Sequence, residues 1–488
     1  MRGGAELGEL WERASLLCGQ RSGSGELHVA RAAFDASPVQ RIHLVSEKEL
    51  RSAFAQRGPA REFDSDRFCK LLTRALKRRR TLLKEAITLE TGFVERDADE
   101  LLEATFAFLN GISNRYALPT ERVALHSYPF HGDTRSIRLG FAPWGLVAIV
   151  LPHNAFLPLA VTCGLSARAC GNHVVLKAPL QSARSAAILA DAFLDSGLES
   201  EGISIVLARG REFAASFLEC ERSGMLHFFG SSEPVAELAS RSFQAGKHAV
   251  FECEGNVWAY VGPDAPASTA DLLLSGTIRF NGQTCTSVNG VVVHPELFAT
   301  VRDELGDRVS SLVTGDPKDP ATQVGPLFDE QLAERNLQIL SNSGGRLLCG
   351  GGGSGSLLFP ALIESPDPRS ELVSEGVFGC ALWIASGTEE DFVRLWPSNR
   401  FPLCAAVYEG PDSRDAWLSR LPNLARLCVN GDPSHEDPFE PWGGYPCSGN
   451  SPVAVWIDKY RRTCQVDAPT RARRRLARNV RGADRKAA

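Results

Sequence analysis

Gly145–Pro152, GLVAIVLP, is an apolar run of strand length closed by a turn residue. A helical stretch, Leu159–Asn172 (LAVTCGLSARACGN), and a second apolar run, His173–Pro179 (HVVLKAP), follow it. The alternation continues through Ser182–Leu198 (SARSAAILADAFLDSGL), Ile203–Gly210 (ISIVLARG), Phe213–Cys220 (FAASFLEC), Met225–Ser231 (MLHFFGS) and Pro234–Gly246 (PVAELASRSFQAG) to Ala249–Gly255 (AVFECEG). A repeated strand–helix order of this kind specifies an α/β fold built on a doubly wound, Rossmann-type parallel sheet. Ligands of such sheets bind outside the carboxyl ends of the strands, so residues in the last position of each run carry the functional interest.

Outward from this core, Asp64–Ala107 places leucines at three- and four-residue spacing and meets a stop at Gly92, which predicts a helical layer. Glu121–Pro143 alternates on both sides of His131-Gly132-Asp133 and predicts a long hairpin or arm. A second α/β series runs from about Ala267 to Cys447. Cys349–Pro360 (CGGGGSGSLLFP) has glycines at dinucleotide-like spacing, but they lead into a strand-like run and not a helix, so a turn is expected there.

At 488 residues the chain exceeds the size at which one core keeps growing, so two or more domains are expected. A net charge of −5 gives no reason to expect nucleic acid or an anionic membrane as a partner. The exception is the arginine-rich tail from Thr470, read as a solvated disordered terminus. Thirteen cysteines, with no CxxC pair and no zinc-ligand spacing, read as reduced and mostly buried, and no metal is expected. The first twenty residues lack an apolar core of signal-peptide type, and no run reaches membrane-span length, so a cytoplasmic location is expected.

Three residues at strand ends or loop starts could carry chemistry: Asn154 in PHNAFLP, Glu252 in VFECEG and Cys285 in RFNGQTCTSVNG (Arg279–Gly290). An isolated cysteine is usually a core residue. Cys285, however, lies among Asn281, Gly282, Gln283, Thr284 and Thr286, a polar and turn-prone setting of the sort a reactive thiol needs.

Taken in order, these segments resemble the aldehyde dehydrogenase family over roughly Leu27–Val466. APWGLVAIVLPHNAF, VVLKAP, FFGSS, FECEG and FNGQTC are each similar to a family segment, as are the later GDPKDPATQVGPLFDE, EGVFGCAL, NRFPLCAAVY, CVNGDP and PWGGYPCSG. The resemblance implies Cys285 as nucleophile, Asn154 as an oxyanion donor and Glu252 as the base that activates water. NAD or NADP would be held by Lys177, Gly230, Ser231, Pro152, Phe378 and an acid at Glu375, and the substrate would be a small aldehyde. It also implies three parts: a cofactor domain of residues 1–120 and 140–252, a catalytic domain of 253–450, and an oligomerisation arm of 121–139 with 451–468. Residues 469–488 form the basic tail, and a homodimer or homotetramer is expected. The chemistry is coherent: a thiolate attacks a carbonyl carbon, and a useful ionised fraction at neutral pH favours it over a hydroxyl.

The chain departs from the family pattern at several positions. Leu180 stands where relatives that prefer NAD carry a glutamate, so NADP is not repelled. Gly376 stands where a ribose-binding glutamate is usual, with Glu375 one place earlier. His153 replaces a tryptophan and reads as a pocket wall. Glu254 replaces a glycine and is expected to act on Glu252 as a second carboxylate. Arg279 could bind an acidic substrate tail or pair on an outer helix face, and with Thr284, Thr286 and His153 it completes the expected substrate pocket. Two rival readings stay open: transfer of the acyl group to coenzyme A in place of water, and a catalytically impaired scaffold of the same fold.

Overall fold

The computed structural model describes residues 12–17, 19–56, 63–115, 123–131, 133–198, 201–410 and 414–469. The apolar runs form strands β1 (Leu146–Val150), β2 (His173–Ala178), β3 (Ile203–Leu207), β4 (Gly224–Phe229) and β5 (His248–Glu252). All five are parallel and lie in the order β5-β4-β1-β2-β3. Every residue of β1, β2 and β3 is buried, because helices such as Phe156–Ala169, Ala183–Asp195 and Gly210–Glu219 alternate with the strands and cover the sheet, which is why the strands read as unbroken aliphatic runs. Strand order reverses between β1 and β4, and the crevice at such a switch point is where a ligand is accommodated. The register sets Lys177 beside Val150 and Glu252 beside Phe229, so both lie at the carboxyl edge of the sheet.

Short strands precede the helical layer. Ser15–Leu17 and Gln20–Ser22 extend the sheet antiparallel beyond β3, with Leu16 opposite Ile205. Leu27–Arg31 pairs with Pro38–His43. The helical layer forms as Ser65–Arg78, Arg80–Thr91 and Glu95–Arg115. Gly92 closes the second helix with a φ of +77°, a left-handed cap that glycine adopts without steric cost.

Residues 253–256 cross to a second sheet of β6 (Val257–Val261), β7 (Val288–Val293), β8 (Arg346–Cys349), β9 (Ala361–Glu364), β10 (Ala381–Ser386), β11 (Cys404–Tyr408) and β12 (Arg426–Val429). The order is β8-β9-β10-β7-β6-β11-β12, parallel except for β8. The glycine-rich patch is a small hairpin, Gly353–Ser354 on Leu357–Leu358. Gly290 in β7 faces Trp383, and a Cβ there would lie 1.9 Å from the indole ring. Trp383 is fully buried and stacks edge-on against Trp258. Gly290→Ala is therefore expected to destabilise this sheet by roughly 1–3 kcal/mol or more through overpacking, read as an earlier thermal transition.

The arm is a three-stranded sheet in which Asp133–Pro143 lies between Val123–Phe130 and Arg461–Pro469. Its limits differ from those expected. The central strand runs on to Pro143, and the last strand begins only at Arg461. Of the residues assigned to the arm, Ser451–Ala454 instead pair with Trp442–Gly444. The short helix Trp456–Lys459 docks on the first domain, where Trp456 and Tyr460 join the core of β1–β4. The basic tail, 470–488, lies outside the described residues. Among those described, no helix is long and apolar enough to cross a membrane.

Candidate active site

The loop after β1 carries Pro152, His153 and Asn154. The Asn154 amide reaches out of the first domain and donates from Nδ2 to the Gln283 carbonyl, at 2.8 Å, two residues before Cys285. Gly255, just past β5, comes so close to the nucleophile loop that a Cβ on it would stand 2.0 Å from the Cys285 carbonyl oxygen. Glu252 is among the charges acting on the Cys285 thiol. The three residues singled out from the sequence thus meet at the junction of the two sheets.

The segment ahead of Cys285 is strained and tightly held. Phe280 and Asn281 have φ of +53° and Gly282 of +68°, three successive left-handed residues of which only the last is a glycine. Such conformations cost of order 1–3 kcal/mol each outside glycine and persist where the surroundings impose them. Here Asn281 Nδ2 donates to the carbonyls of Gly92 and Pro326, and its Oδ1 accepts from Gly325 N–H. The Phe280 N–H donates to Asp97, and Gln283 Oε1 accepts from Phe328 N–H. A Cβ at Gly282 would stand 2.3 Å from the Gly379 backbone. Helical-layer residues and the 325–328 loop therefore set the direction in which Cys285 is presented.

Cys285 is partly accessible, as expected, but its ionisation differs from expectation. Burial, then the charges of Glu436 and Glu252, push the thiol above the ordinary cysteine range, which disfavours the thiolate. Thr284 and Thr286 hydroxyls lie 3.0 Å apart, and Thr286 Oγ1 donates to Glu436 Oε1 at 2.8 Å. His153 packs against Phe328 with ring centroids 4.4 Å apart, and burial lowers its pKa to about 4, which keeps the imidazole neutral at physiological pH.

Glu252 is 5% exposed and faces Lys459, whose Nζ is 2.9 Å from Oε1 and 2.6 Å from the Ser451 hydroxyl. Glu252 Oε2 is buried without a hydrogen-bond partner. His227 Nε2 lies 3.7 Å from Oε1, while its Nδ1 is 2.6 Å from the Tyr460 hydroxyl. The carboxylate is thus anchored by one oxygen and unpartnered at the other among the described residues, which leaves that oxygen able to accept a proton.

On the cofactor side, Lys177 is 9% exposed, and burial lowers its pKa to about 8. Among the described residues it has no hydrogen-bond or ion-pair partner, and a buried ammonium left in this state is suited to a ligand's oxygens. Gly230 N–H donates to the Glu252 carbonyl, and Ser231 Oγ accepts from Glu233 N–H, which together shape the turn after β4. The Phe378 carbonyl accepts from Asn336, and its side chain is partly accessible.

Three expectations need correction. Arg279 is 11% exposed at its side chain and pairs with Glu100 and Asp432, with Nη1 3.1 Å from His435 Nδ1, so its guanidinium is not free for an acidic substrate tail. Glu375 pairs with Arg400 and does not stand as an open ligand. Gly376 has a φ of +75°, and a Cβ on it would meet Asn256 Oδ1 at 2.8 Å, so this backbone admits no side chain there. Glu254 accepts at both carboxylate oxygens from Ser232 N–H at 3.0 Å, and it is Lys459 that confronts Glu252. Sequence reading missed Lys459 and Glu436, and took Asn281 and Gln283 only as turn-prone neighbours of Cys285. The only signal for Glu436 was an acidic stretch between CVNGDP and PWGG.

A sequence profile described as the aldehyde dehydrogenase family matches residues 59–467. Benzaldehyde dehydrogenase [NAD(+)] of Pseudomonas putida is 26% identical over 63% of this chain and 64% of its own length. Benzaldehyde dehydrogenase YfmT of Bacillus subtilis (strain 168) is 24% identical over 76% of this chain and 80% of its own. A Mycobacterium tuberculosis aldehyde dehydrogenase, solved as a complex with NAD+, superposes with a TM-score of 0.84 at 20% identity, covering 94% of this chain and 98% of that one.

Proposed function

Since the chain belongs to the aldehyde dehydrogenase family, an aldehyde-oxidising group that uses NAD or NADP, we propose that Cys285 is its nucleophile, Asn154 its oxyanion donor and Glu252 its hydrolytic base. In this reading Cys285 Sγ bonds to the carbonyl carbon as the carbonyl π pair moves onto oxygen and the thiol proton passes to solvent, giving the oxyanion of a thiohemiacetal. Its oxygen is stabilised by the Asn154 amide and the Cys285 backbone N–H. Loss of hydride from that carbon leaves a thioester, and Glu252 Oε2 takes a proton from the water that releases the carboxylic acid and regenerates the thiol.

Bound NAD or NADP supplies the hydride acceptor. The residues present fit such a group: Lys177 is a buried ammonium at the carboxyl edge of the sheet, without a partner among the described residues, and Leu180 places no acid where a 2′-phosphate would be repelled. Pro152, Gly230, Ser231 and Phe378 complete the proposed cradle. We further propose a cytoplasmic homodimer or homotetramer joined through the arm, whose outer strands Val123–Phe130 and Arg461–Pro469 each leave one edge unpaired among the described residues.

The observation that carries this reading is the convergence on one loop: Asn154 bonded to Gln283, Gly255 against Cys285, and Glu252 acting on the thiol. The test is NADH or NADPH formation across an aldehyde panel that begins with aromatic aldehydes, with product analysis in the presence and absence of coenzyme A. A free carboxylic acid without coenzyme A is the expected product, and a coenzyme A thioester would replace this reading. Asn154→Ala is expected to lower kcat by about 10²–10³-fold, the cost of one oxyanion donor, with little change in KM.

A further inference from the structure

The loop Pro433–Glu440 brings a carboxyl group to the nucleophile that the proposed reaction does not use. Glu436 is accessible to solvent, yet it is enclosed by enough protein that burial raises its carboxyl above the ordinary range. Its Oε1 accepts from the hydroxyl of Thr286, the residue after Cys285. Among neighbouring charges it is the largest influence on the Cys285 thiol, ahead of Glu252.

The two cations that act on Glu436, Arg426 and Arg279, have their hydrogen bonds elsewhere. Arg426 donates to the carbonyls of Pro433 and His435 and to Glu440, and Arg279 is held by Glu100, Asp432 and His435. Among the described residues Glu436 has no ion-pair partner, and its one side-chain hydrogen bond, from Thr286, is made through Oε1.

We propose that Glu436 is a specificity-determining residue that selects aldehydes bearing a hydroxyl group and turns away those bearing a carboxylate. This rests on the reading of Cys285 as the nucleophile. A carboxylate oxygen free of other partners accepts a charge-assisted hydrogen bond from a substrate hydroxyl, whereas a substrate anion brought to Cys285 meets like charge nearby with no free guanidinium to offset it. Rejection of the wrong substrate by repulsion is as much a part of specificity as attraction of the right one. The selectivity is therefore opposite in sign to that expected had Arg279 been free.

Two measurements test this. The first is kcat/KM for benzaldehyde and its 3- and 4-hydroxy and 3- and 4-carboxy derivatives. The carboxylates are expected to fall at least about tenfold below the parent and the better hydroxyl compound above it. Glu436→Gln should recover about tenfold on the carboxylates, and Glu436→Leu should remove the hydroxyl preference. Unchanged ratios in both variants, or a wild-type preference for the carboxylates, overturn the proposal.

The second needs no dehydrogenase activity: alkylation of Cys285 at pH 8 by iodoacetate and by iodoacetamide, followed on the Cys285 peptide by mass spectrometry. The iodoacetate-to-iodoacetamide rate ratio should rise about tenfold in Glu436→Gln. A ratio that does not move overturns the role of Glu436. A ratio that moves while no aldehyde is oxidised supports that role and counts against the dehydrogenase reading instead.

Discussion

Cys285→Ala is expected to reduce aldehyde-dependent NAD(P)H formation by at least about 10⁴-fold while leaving nucleotide binding intact. The size follows from the nucleophile's place in the sequence of steps, because without the sulfur no tetrahedral species forms from which hydride can leave. The variant is a clean one. Cys285 lies on a loop held by the side chains of Asn281 and Gln283, so trimming its thiol leaves the fixed backbone in place. Activity against pH should also report the thiol. Burial, Glu436 and Glu252 hold it above the ordinary cysteine range, so the reactive thiolate is scarce at neutral pH and grows as pH rises. Alkylation of Cys285 by iodoacetamide should therefore accelerate steadily from pH 7 to pH 9.5. A rate already at its plateau at pH 7 would contradict the arrangement of charges described here.

Glu252→Gln is expected to separate the two halves of the reaction. Thioester formation should proceed, with a burst of NAD(P)H of about one equivalent per site, and hydrolysis should then limit turnover at about 10²–10⁴-fold below the native rate. Acylated Cys285 should be visible by intact-protein mass spectrometry, and the absence of any burst would remove Glu252 from the hydrolytic step. The ion pair gives this prediction a second dimension. Lys459 and Glu252 are 2% and 5% exposed at their side chains, and breaking a buried pair from one side leaves an uncompensated charge, a loss of about 3–5 kcal/mol. Lys459→Met should therefore be strongly destabilising, and the double variant Glu252→Gln with Lys459→Met should recover part of that loss. A double variant less stable than Lys459→Met alone would show that the pair does not act as a unit.

The parts of the molecule legible in the sequence were those decided locally. β1, β2 and β3 are covered on both faces, so their aliphatic runs announced a parallel sheet, and Gly92 marked a helix end because it caps one in the left-handed region. Asn154 and Glu252 could be singled out because each closes or follows such a run. What escaped notice depends on residues far apart in sequence. Arg279 could be read as a substrate ligand or as a paired arginine, and only its distant partners Glu100 and Asp432 decide for the second. Lys459 carries no motif of its own until the short helix it ends brings it to Glu252 at the end of β5. The edge strands Ser15–Leu17 and Gln20–Ser22 are three residues each, too short for alternation to show, and they exist because β3 offers them an edge. The thiol's protonation was misjudged for the same reason, since Glu436 reaches it from a loop some 150 positions away.

The docking of Trp456–Tyr460 has a bearing on how the polypeptide matures. The first domain takes its parallel strands from residues 146–252, yet His227 and Glu252 receive their partners, Tyr460 and Lys459, from the far end of the chain. On the ribosome that domain is synthesised early and must wait, with a polar pocket open at the edge of its sheet, until the closing helix clears the exit tunnel. Nascent chains stalled between residues 260 and 450 should accordingly be the ones that call on chaperones.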